Sequence, residues 1–380
     1  MKEKILAAYE VNTGRQKEFD IGKAVIIFFM AIVHVAGLCA GWDSLEDVTS
    51  VGYFLDSVVG GPFGAPLFMF AMGLGIAYSR GNDWNKLVKR GIRIYLLGFV
   101  LNIVRYIIPY YITYLLTGNY DFYIKNLVGR FFNWDILTFA GLALILVGIM
   151  KRLGRGIRDI CILSLIMSFI GSFIELKDFG PWQLNVFLGM FVGTADDVME
   201  LEADFPLFNW FIFVAFGLAY GYFYRRLKDK KTYYRYAIPA GFIIGLIPVF
   251  IEVFWEVGMM GAGEYCFFHM KMYDALTSLA LNIAVIGVYY YIAEYLPEGL
   301  MRLLGGISRD INSIYCIQWV FISGIIVCAL YSIKGDMLLP WYIYVPIGCG
   351  ISILSIACAF FYEYIKGKLV RRDDKNGYKS

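Results

Sequence analysis

The sequence predicts an all-α, polytopic membrane protein with about ten transmembrane helices in one bundle. Hydrophobic residues make up 59% of the chain and charged residues 17%, whereas soluble domains average roughly 45–50% and 25%. Apolar runs of about twenty residues, the length that crosses a bilayer as a helix, recur along the whole chain. Basic residues also concentrate in alternate connecting segments, as expected for loops on the cytoplasmic side.

Ten apolar segments are predicted to span the membrane. They are residues 21–41, 62–79, 92–116, 135–150, 158–175, 206–224, 236–254, 273–293, 311–331 and 342–365. A further apolar stretch, 183–194, is ambiguous. If it does not cross, every basic loop and both termini fall on the cytoplasmic side, whereas a crossing would turn the later basic loops outward. We therefore predict a short re-entrant or interfacial helix there.

The corresponding domain organisation is simple. We expect a cytoplasmic N-terminal segment (1–20), one transmembrane domain (21–366) and a cytoplasmic basic tail (367–380). The plasma membrane is the expected location, with the lipid bilayer as a partner and no nucleic acid. A bacterial origin is expected because no eukaryotic targeting segment is recognised.

One of the two histidines in the chain, His34, lies inside the first predicted span. Its position, about 20 Å along the helix from the cytoplasmic start, places it in the outer half of the bilayer. Ionisable side chains at such a depth mark functional sites by default, although a packing histidine is the alternative. Asp20 and Lys23 stand three residues apart near the cytoplasmic end and can pair on one helix face. Alternatively, they are a helix-start carboxylate and a snorkelling lysine.

A basic cluster opens the third predicted span. Arg90 and Arg93 share a helix face because they are three residues apart. With Lys86 and Lys89 they form a patch that can hold phosphate groups in bidentate geometry. The alternative is ordinary positive-inside anchoring to anionic lipid.

Further polar and irregular features are expected at the depth of His34. Residues 60–73 contain two prolines and several glycines, and irregular backbone of this kind often lines a cavity. The alternative is a proline-started helix with a small packing face. We also predict a polar substrate mouth that includes Arg105, Glu252, His269 and Gln318. No metal site is expected.

These residues together resemble the acyltransferase-3 family of integral membrane acyltransferases. That family has a basic residue, ten intervening positions and a histidine in its first span, which Lys23 and His34 match, with Lys where Arg is usual. An Asp three residues earlier corresponds to Asp20. The family's Arg-x-x-Arg at the third span corresponds to Arg90 and Arg93.

The resemblance extends to other parts of the chain. Residues 66–73 look like the family's Pro-Leu-Phe-Phe-type second span, and 313–319 look like its Ser-x-x-Tyr-x-x-His-Trp stretch, with Gln318 in place of the histidine. Residues 134–142 are similar to the related heparan-α-glucosaminide N-acetyltransferase group.

The resemblance implies an acyltransferase that moves an acyl group, most often acetyl, from cytoplasmic acyl-CoA to a hydroxyl or amine of an extracytoplasmic acceptor such as a carbohydrate. It implies His34 as general base or acyl carrier, with Asp20 and Lys23 in the catalytic group. It assigns the CoA phosphates to the patch around Arg90 and Arg93.

Two other classes of function remain open from the sequence. Buried charge, prolines within spans and ten helices also fit a transporter or flippase of a lipid-linked sugar or small molecule. The Lys23 and Gln318 departures also fit a non-catalytic sensor or assembly subunit. Dependence on acyl-CoA with an essential His34 separates the enzyme from both.

Overall fold

The computed structural model describes residues 5–47, 49–125, 127–174, 178–196, 201–202, 204–255 and 270–377. The structure is helical almost throughout. The α-helices, in chain order, are α1 (Lys17–Cys39), α2 (Trp42–Glu46), α3 (Val51–Tyr53), α4 (Ala65–Tyr78), α5 (Trp84–Asn102), α6 (Ile108–Thr117), α7 (Tyr120–Tyr123), α8 (Leu127–Phe131), α9 (Ile136–Arg152), α10 (Ile157–Gly171), α11 (Trp182–Val192), α12 (Leu207–Arg225), α13 (Lys230–Trp255), α14 (Met272–Tyr295), α15 (Glu298–Arg309), α16 (Ile311–Ile322), α17 (Tyr331–Lys334) and α18 (Trp341–Gly377).

Three π-helical segments and one small hairpin complete the secondary structure of the described chain. The π-helices are π1 (Phe54–Gly60), π2 (Ile103–Ile107) and π3 (Ser323–Leu330). The hairpin pairs β1 (Ala195–Asp196) antiparallel to β2 (Leu201–Glu202). Because π1, π2 and π3 continue α3, α5 and α16 without a break, each widens a helix that would otherwise be regular.

Seven helical stretches of the described chain are long and apolar enough to cross a membrane. They are Lys17–Cys39, Val51–Tyr78, Trp84–Thr117, Leu207–Arg225, Met272–Tyr295, Ile311–Lys334 and Trp341–Lys366. The protein is therefore a multi-pass helical membrane protein. The other three predicted spans fall on α9, α10 and α13, with 17, 15 and 26 residues, so the count of ten stays a prediction.

The ambiguous stretch 183–194 forms α11, a helix of 11 residues. At 1.5 Å per residue it extends about 16 Å, which is about half of a ~30 Å hydrocarbon core. It is therefore too short to cross the bilayer as a helix.

Glycines bring two pairs of helices into close contact. On α5, Gly91 lies against Gly141 and Ile145 of α9, and Gly98 lies against Thr138. On α12, Gly217 lies against the backbone of Phe70 in α4. Small residues at such crossings let the helix backbones approach closely. In a bilayer, where lipid is as apolar as the side chains, this close packing is what holds helices together.

Helix α1 lies at the centre of the bundle. It packs against α14, α15, α16 and α18 as well as π1 and α4. Its first turn lies near the far end of α18, since Arg15, Lys17, Glu363 and Tyr364 line one cavity. The start of α1 and the end of α18 thus lie at the same end of the bundle, which we call the basic end because Arg90 also lies near the α1 start. Its cytoplasmic orientation stays a prediction.

Candidate active site

A cavity of about 790 Å³ runs beside α1 in the interior of the bundle. Its lining extends along α1 from Val25 to Leu38 and includes His34. The lining also includes Tyr289, which lies against Gly22 near the start of α1, and Leu45, which follows the end of α1. The volume falls in the range of small-molecule binding sites, about 300–1,000 Å³. We call it the central cavity.

The central cavity contains a buried network of Arg105, Asp135 and Tyr315. The Arg105 guanidinium contacts Asp135 with Nη1 2.8 Å from Oδ2, and the Tyr315 hydroxyl donates to the same Oδ2 at 2.6 Å. The backbone N–H of Ile136 donates to Asp135 Oδ1 at 2.5 Å, which caps α9. Because both carboxylate oxygens are occupied, the network is a rigid part of the cavity wall.

The chain places Arg105 in this network through π2. Asn102, the last residue of α5, is anchored by its amide to the carbonyls of Phe131 and Asn133, each at 2.9 Å. Its Oδ1 accepts a hydrogen bond from Arg105 Nε at 3.1 Å. The extra residue of a π-turn changes the direction of the side chains that follow it. Arg105 therefore points into the bundle, where its side chain is 2% exposed.

Trp319 of α16 joins this network to His34. The ring centroids of His34 and Trp319 are 4.5 Å apart, and the Arg105 guanidinium lies 4.7 Å from the Trp319 ring centroid. The charges that act on the His34 imidazole are those of Asp135 and Arg105. His34 thus faces the cavity with an aromatic ring on one side and an ion pair within electrostatic reach.

Two further carboxylates line the central cavity. Asp56 lies on π1 and Asp204 lies just before α12. Among the lining residues that the structure describes, these two and Asp135 are three carboxyl side chains beside one guanidinium, that of Arg105. The irregular segment predicted to line a cavity does so: Gly60, Phe63, Gly64 and Ala65 are part of this wall.

Asp20 and Lys23 lie closer to the basic end, on the first turns of α1. The Asp20 carboxylate accepts from Arg15, with Nε–Oδ2 2.5 Å and Nη2–Oδ1 3.1 Å. Arg15 also donates to the carbonyl of Gly305 in α15. The Lys23 ammonium is under the influence of Asp20, Arg15 and Arg90. The ion pair of Asp20 with Arg15 was not anticipated from the sequence.

The basic patch lies on the exposed face of the first three turns of α5. Lys86, Lys89, Arg90 and Arg93 are all exposed, and none of them is among the residues lining the central cavity. Lys86 Nζ lies 3.1 Å from Asp83 Oδ2. The backbone N–H of Lys86, with a smaller contribution from its ammonium, lowers the pKa of Asp83.

A second cavity, of about 830 Å³, lies at the basic end between α15 and the neighbouring ends of α1 and α18. Its lining has four cationic side chains, namely Arg15, Lys17, Arg302 and Arg309. Three of these are already paired, Arg15 with Asp20, Arg302 with Glu298 and Arg309 with Asp310. This basic cavity was not predicted from the sequence.

The structure describes the side chains of two of the four predicted mouth residues, Arg105 and Gln318. Arg105 lines the central cavity. Gln318 is fully buried, and its Nε2 donates to the Ile27 carbonyl of α1 at 2.7 Å, so it joins two helices beside the cavity. Glu252 belongs to α13, but the structure describes only its backbone and not its side chain. His269 lies outside the described residues.

Sequence reasoning missed the importance of three residues around His34. Asp135, Tyr315 and Trp319 all line the central cavity, and Asp135 and Tyr315 are 180 residues apart in the chain. The available signal for Asp135 was its position before an apolar run, where a carboxylate caps a helix. Within the described chain, no group of three His, Cys, Asp or Glu side chains is placed to hold a metal ion.

A family model described as heparan-alpha-glucosaminide N-acetyltransferase, catalytic, matches residues 15–247. The matched region is more than half of the chain and includes His34, Arg90, Arg105 and Asp135, whereas Tyr315 lies beyond it. A search of curated proteins finds no match. Because the family match spans the central helix and most of the cavity wall, the chain belongs to the heparan-alpha-glucosaminide N-acetyltransferase catalytic family, a family of acetyltransferases.

Proposed function

We propose that this protein is an integral membrane acyltransferase that moves an acetyl group from acyl-CoA to a hydroxyl or amine of a carbohydrate or similar acceptor. The observation that carries the proposal is the position of His34 in the wall of the central cavity, beside the buried Arg105–Asp135 pair. Family membership supports acetyl transfer. The wider likeness to acyltransferase-3 enzymes supports a cytoplasmic donor and an extracytoplasmic acceptor.

His34 serves as the general base in this proposal. Its imidazole takes a proton from the acceptor O–H or N–H, and the freed lone pair attacks the thioester carbonyl carbon. The new C–O or C–N bond forms, the C–S bond breaks, and the CoA sulfur leaves as a thiolate that accepts a proton. A variant of the scheme has His34 accept the acetyl group first.

The Arg105–Asp135–Tyr315 network is proposed to hold the wall on which the thioester rests. The Arg105 charge is fixed by Asp135 and Asn102 and stacked on Trp319. A guanidinium held in this way can stabilise the negative charge that develops on the thioester oxygen, because the guanidinium does not have to reorganise during the reaction. Freed backbone amides around Gly60–Pro66 are a further candidate for this role.

The donor is proposed to approach from the basic end. Arg90 and Arg93, with Lys86 and Lys89, would hold the CoA phosphates, and Asp20 and Lys23 would connect this patch to α1. In support, Arg90 acts electrostatically on Lys23, which lies three residues before the cavity-lining Ile26. From Lys23 to His34 is 11 residues, or about 16 Å along the helix, a span that the extended pantetheine arm of CoA can bridge.

The test is turnover of acetyl-CoA by the purified protein in detergent with glucosamine as acceptor, comparing the wild type with His34→Ala. We expect the variant to fold and lose transfer by ~100-fold or more, since a positioned base contributes on that scale. Leu38→Ala is the matched control because Leu38 lines the same cavity one turn further along α1 and has no titratable group.

Two outcomes would contradict the proposal. If His34→Ala loses no more activity than Leu38→Ala, the imidazole is not the base. If the wild type neither binds acetyl-CoA nor transfers acetyl, transport becomes the better hypothesis, and uptake of a lipid-linked sugar into proteoliposomes without a covalent product is then the assay.

A further inference from the structure

A stripe of polar residues lies along the interior face of α14. Asp274, Ser278 and Asn282 follow one another at four-residue intervals, which places them on one face of the helix. All three side chains are fully buried. Polar side chains are costly inside a membrane protein unless a partner satisfies them, so a stripe of three needs an explanation.

Ser278 and Asn282 face the bundle interior rather than α13, whereas Asp274 lies on the same side of α14 as Leu281, which contacts Gly245 of α13. Gly241 of α13 lies against Ala280 and Ala284, and Gly287 of α14 lies against Tyr234 of α13. Ser278 and Asn282 are each two residues from Ala280, which is about 200° around the helix. They therefore point toward the opposite side, where α1, α4 and α12 pack against α14.

Two members of this stripe have no hydrogen-bond partner among the described protein atoms. These are the Ser278 hydroxyl and both ends of the Asn282 amide. Orphaned buried groups of this kind are rare in folded proteins and are normally satisfied by ordered water. The unpaired atoms thus indicate that the stripe is hydrated.

More unpaired polar atoms surround the first turn of α14. Asn209 of α12 donates to the Met270 carbonyl at 3.0 Å, and its Oδ1 lacks a partner in the described structure. Ser172 accepts from the Met272 N–H at 2.7 Å and donates to the Ser168 carbonyl. The Ser168 hydroxyl is buried and also without a described partner.

The other end of the stripe leads to the central cavity. Val285 and Tyr289, on the next turns of the same face, line that cavity. From Asp274 to Asn282 is about 12 Å along the helix, and Val285 lies about 4.5 Å further. The buried polar groups therefore follow one face of α14 from the cavity toward the end of the bundle opposite the basic end. We call this route the α14 seam.

We propose that a chain of buried water molecules occupies the α14 seam, joins the central cavity to the Asp274 end of α14, and carries away the proton released when an amine acceptor is acetylated. The role of this water chain in proton release rests on the proposed acetyl transfer. The presence of the water chain does not depend on that activity.

The proton balance explains why such a route is useful. A protonated amine and a thioester give an amide, a thiol and one free proton: the C–N bond forms, the C–S bond breaks, and one amine proton goes to the thiolate sulfur. The remaining proton reaches the His34 imidazole and must leave before the next cycle. A chain of hydrogen-bonded water molecules passes a proton by hopping from one water to the next, and the Ser278 hydroxyl and the Asn282 amide would hold such waters in place.

The first experiment measures thermal unfolding in detergent for Ser278→Ala and Asn282→Leu, alone and combined. In a dry seam, replacing an orphaned polar group by an apolar one of similar size removes a desolvation penalty and raises the Tm. In a hydrated seam, the replacement breaks bonds to bound water, and the Tm stays the same or falls.

Thr277→Val is the matched control. Its hydroxyl neighbours Ser278 but already donates to the Asp274 carbonyl of its own helix, at 3.0 Å. A rise in the Tm of Ser278→Ala and Asn282→Leu above that of the control would overturn the hydrated seam. A wild-type Tm that rises on addition of sodium chloride, and no longer rises in the combined variant, would overturn the hydrated seam as well, since it would indicate a cation site.

The second experiment follows protons in proteoliposomes with glucosamine on both sides, acetyl-CoA added outside and a pH-sensitive dye inside. Acetyl-CoA does not cross bilayers, so it reaches only molecules whose basic end faces outward. The wild type and Thr277→Val should acidify the lumen, whereas the combined seam variant should lose ~10-fold or more of both turnover and lumenal acidification.

The outcomes of the two experiments are separable. Unchanged turnover and unchanged lumenal acidification in the combined variant would refute the proton route. Absence of turnover in the wild type would refute the acetyl transfer itself, and the Tm comparison would still decide whether the seam is hydrated.

Discussion

The Arg105–Asp135 pair provides a quantitative test of how the cavity wall is held. Asp135→Asn keeps the size of the side chain, removes its charge and replaces one of its two acceptor oxygens by an amide donor. The guanidinium of Arg105, 2.8 Å from Asp135 Oδ2 and 2% exposed, then has no counter-charge. Breaking a buried pair by removing one partner costs about 3–5 kcal/mol. Because both residues border a cavity, we expect the lower end, ~3 kcal/mol.

Asp135→Leu should cost more than Asp135→Asn. It also removes the acceptor of the Tyr315 hydroxyl at 2.6 Å and the cap on the Ile136 N–H. An orphaned buried donor costs about 1–3 kcal/mol and a lost N-cap about 1 kcal/mol. Arg105→Met combined with Asp135→Leu removes both charges, and pairs replaced together by apolar residues are often nearly neutral. The double variant should therefore be more stable than Asp135→Leu alone.

The assay is reversible unfolding in mixed micelles of SDS and a mild detergent. It compares the wild type, Asp135→Asn, Asp135→Leu, Arg105→Met and the double variant, so that Asp135→Leu and Arg105→Met complete a double-mutant cycle. Asp83→Asn is the control, because Asp83 also caps a helix and pairs with Lys86, but at an exposed position. It should change stability little. A loss below ~1 kcal/mol for Asp135→Asn, or single effects that add within about 0.5 kcal/mol, would refute the network.

Two further predictions concern the donor site and the helix packing. Replacing both Arg90 and Arg93 by Ala should raise the apparent KM for acetyl-CoA ~10-fold or more, since charge-assisted contacts contribute about 1.5–3 kcal/mol each. The control is Arg155→Ala with Arg158→Ala, which removes two basic residues at the start of α10. Equal KM values for the two pairs would contradict the assignment. Gly141→Leu should destabilise the protein by more than ~3 kcal/mol, the upper range of overpacking, because a Cβ at Gly141 would lie 2.7 Å from the Tyr95 Cα. Gly75→Leu is the control because open space surrounds Gly75. Similar unfolding curves for the two variants would refute the tight α5–α9 contact.

Hydrophobicity alone was sufficient to predict the helical membrane fold. Most of the apolar runs read from the sequence coincide with helices, and seven meet the length and composition of a span. The sequence also allowed the prediction that residues 183–194 do not cross the membrane, because charge asymmetry and length both oppose a crossing. The placement of His34 in a cavity also follows from the rule that ionisable groups in spans face the bundle interior.

The contacts within the site could not be predicted in the same way. Asp135 and Tyr315 meet only when α9 and α16 pack, and nothing local in either segment specifies the partner. The spacing in the sequence offered Lys23 as a partner for Asp20, and nothing local indicated that Arg15 would form the ion pair with it. The turn of Arg105 into the bundle depends on π2, and a π-turn has no sequence period that distinguishes it from an α-helix.

The π2 segment also has a consequence for how this chain tolerates changes in length. Removing one residue from a regular helix such as α9 rotates everything after it by about 100°, so its packing face would turn away from α5. A single π-turn already holds one surplus residue, and losing it restores regular geometry while the helices on both sides keep their orientation. Residues 103–107 are thus a place where evolution can shorten the chain, keep the bundle, and redirect Arg105 away from the cavity in one genetic step.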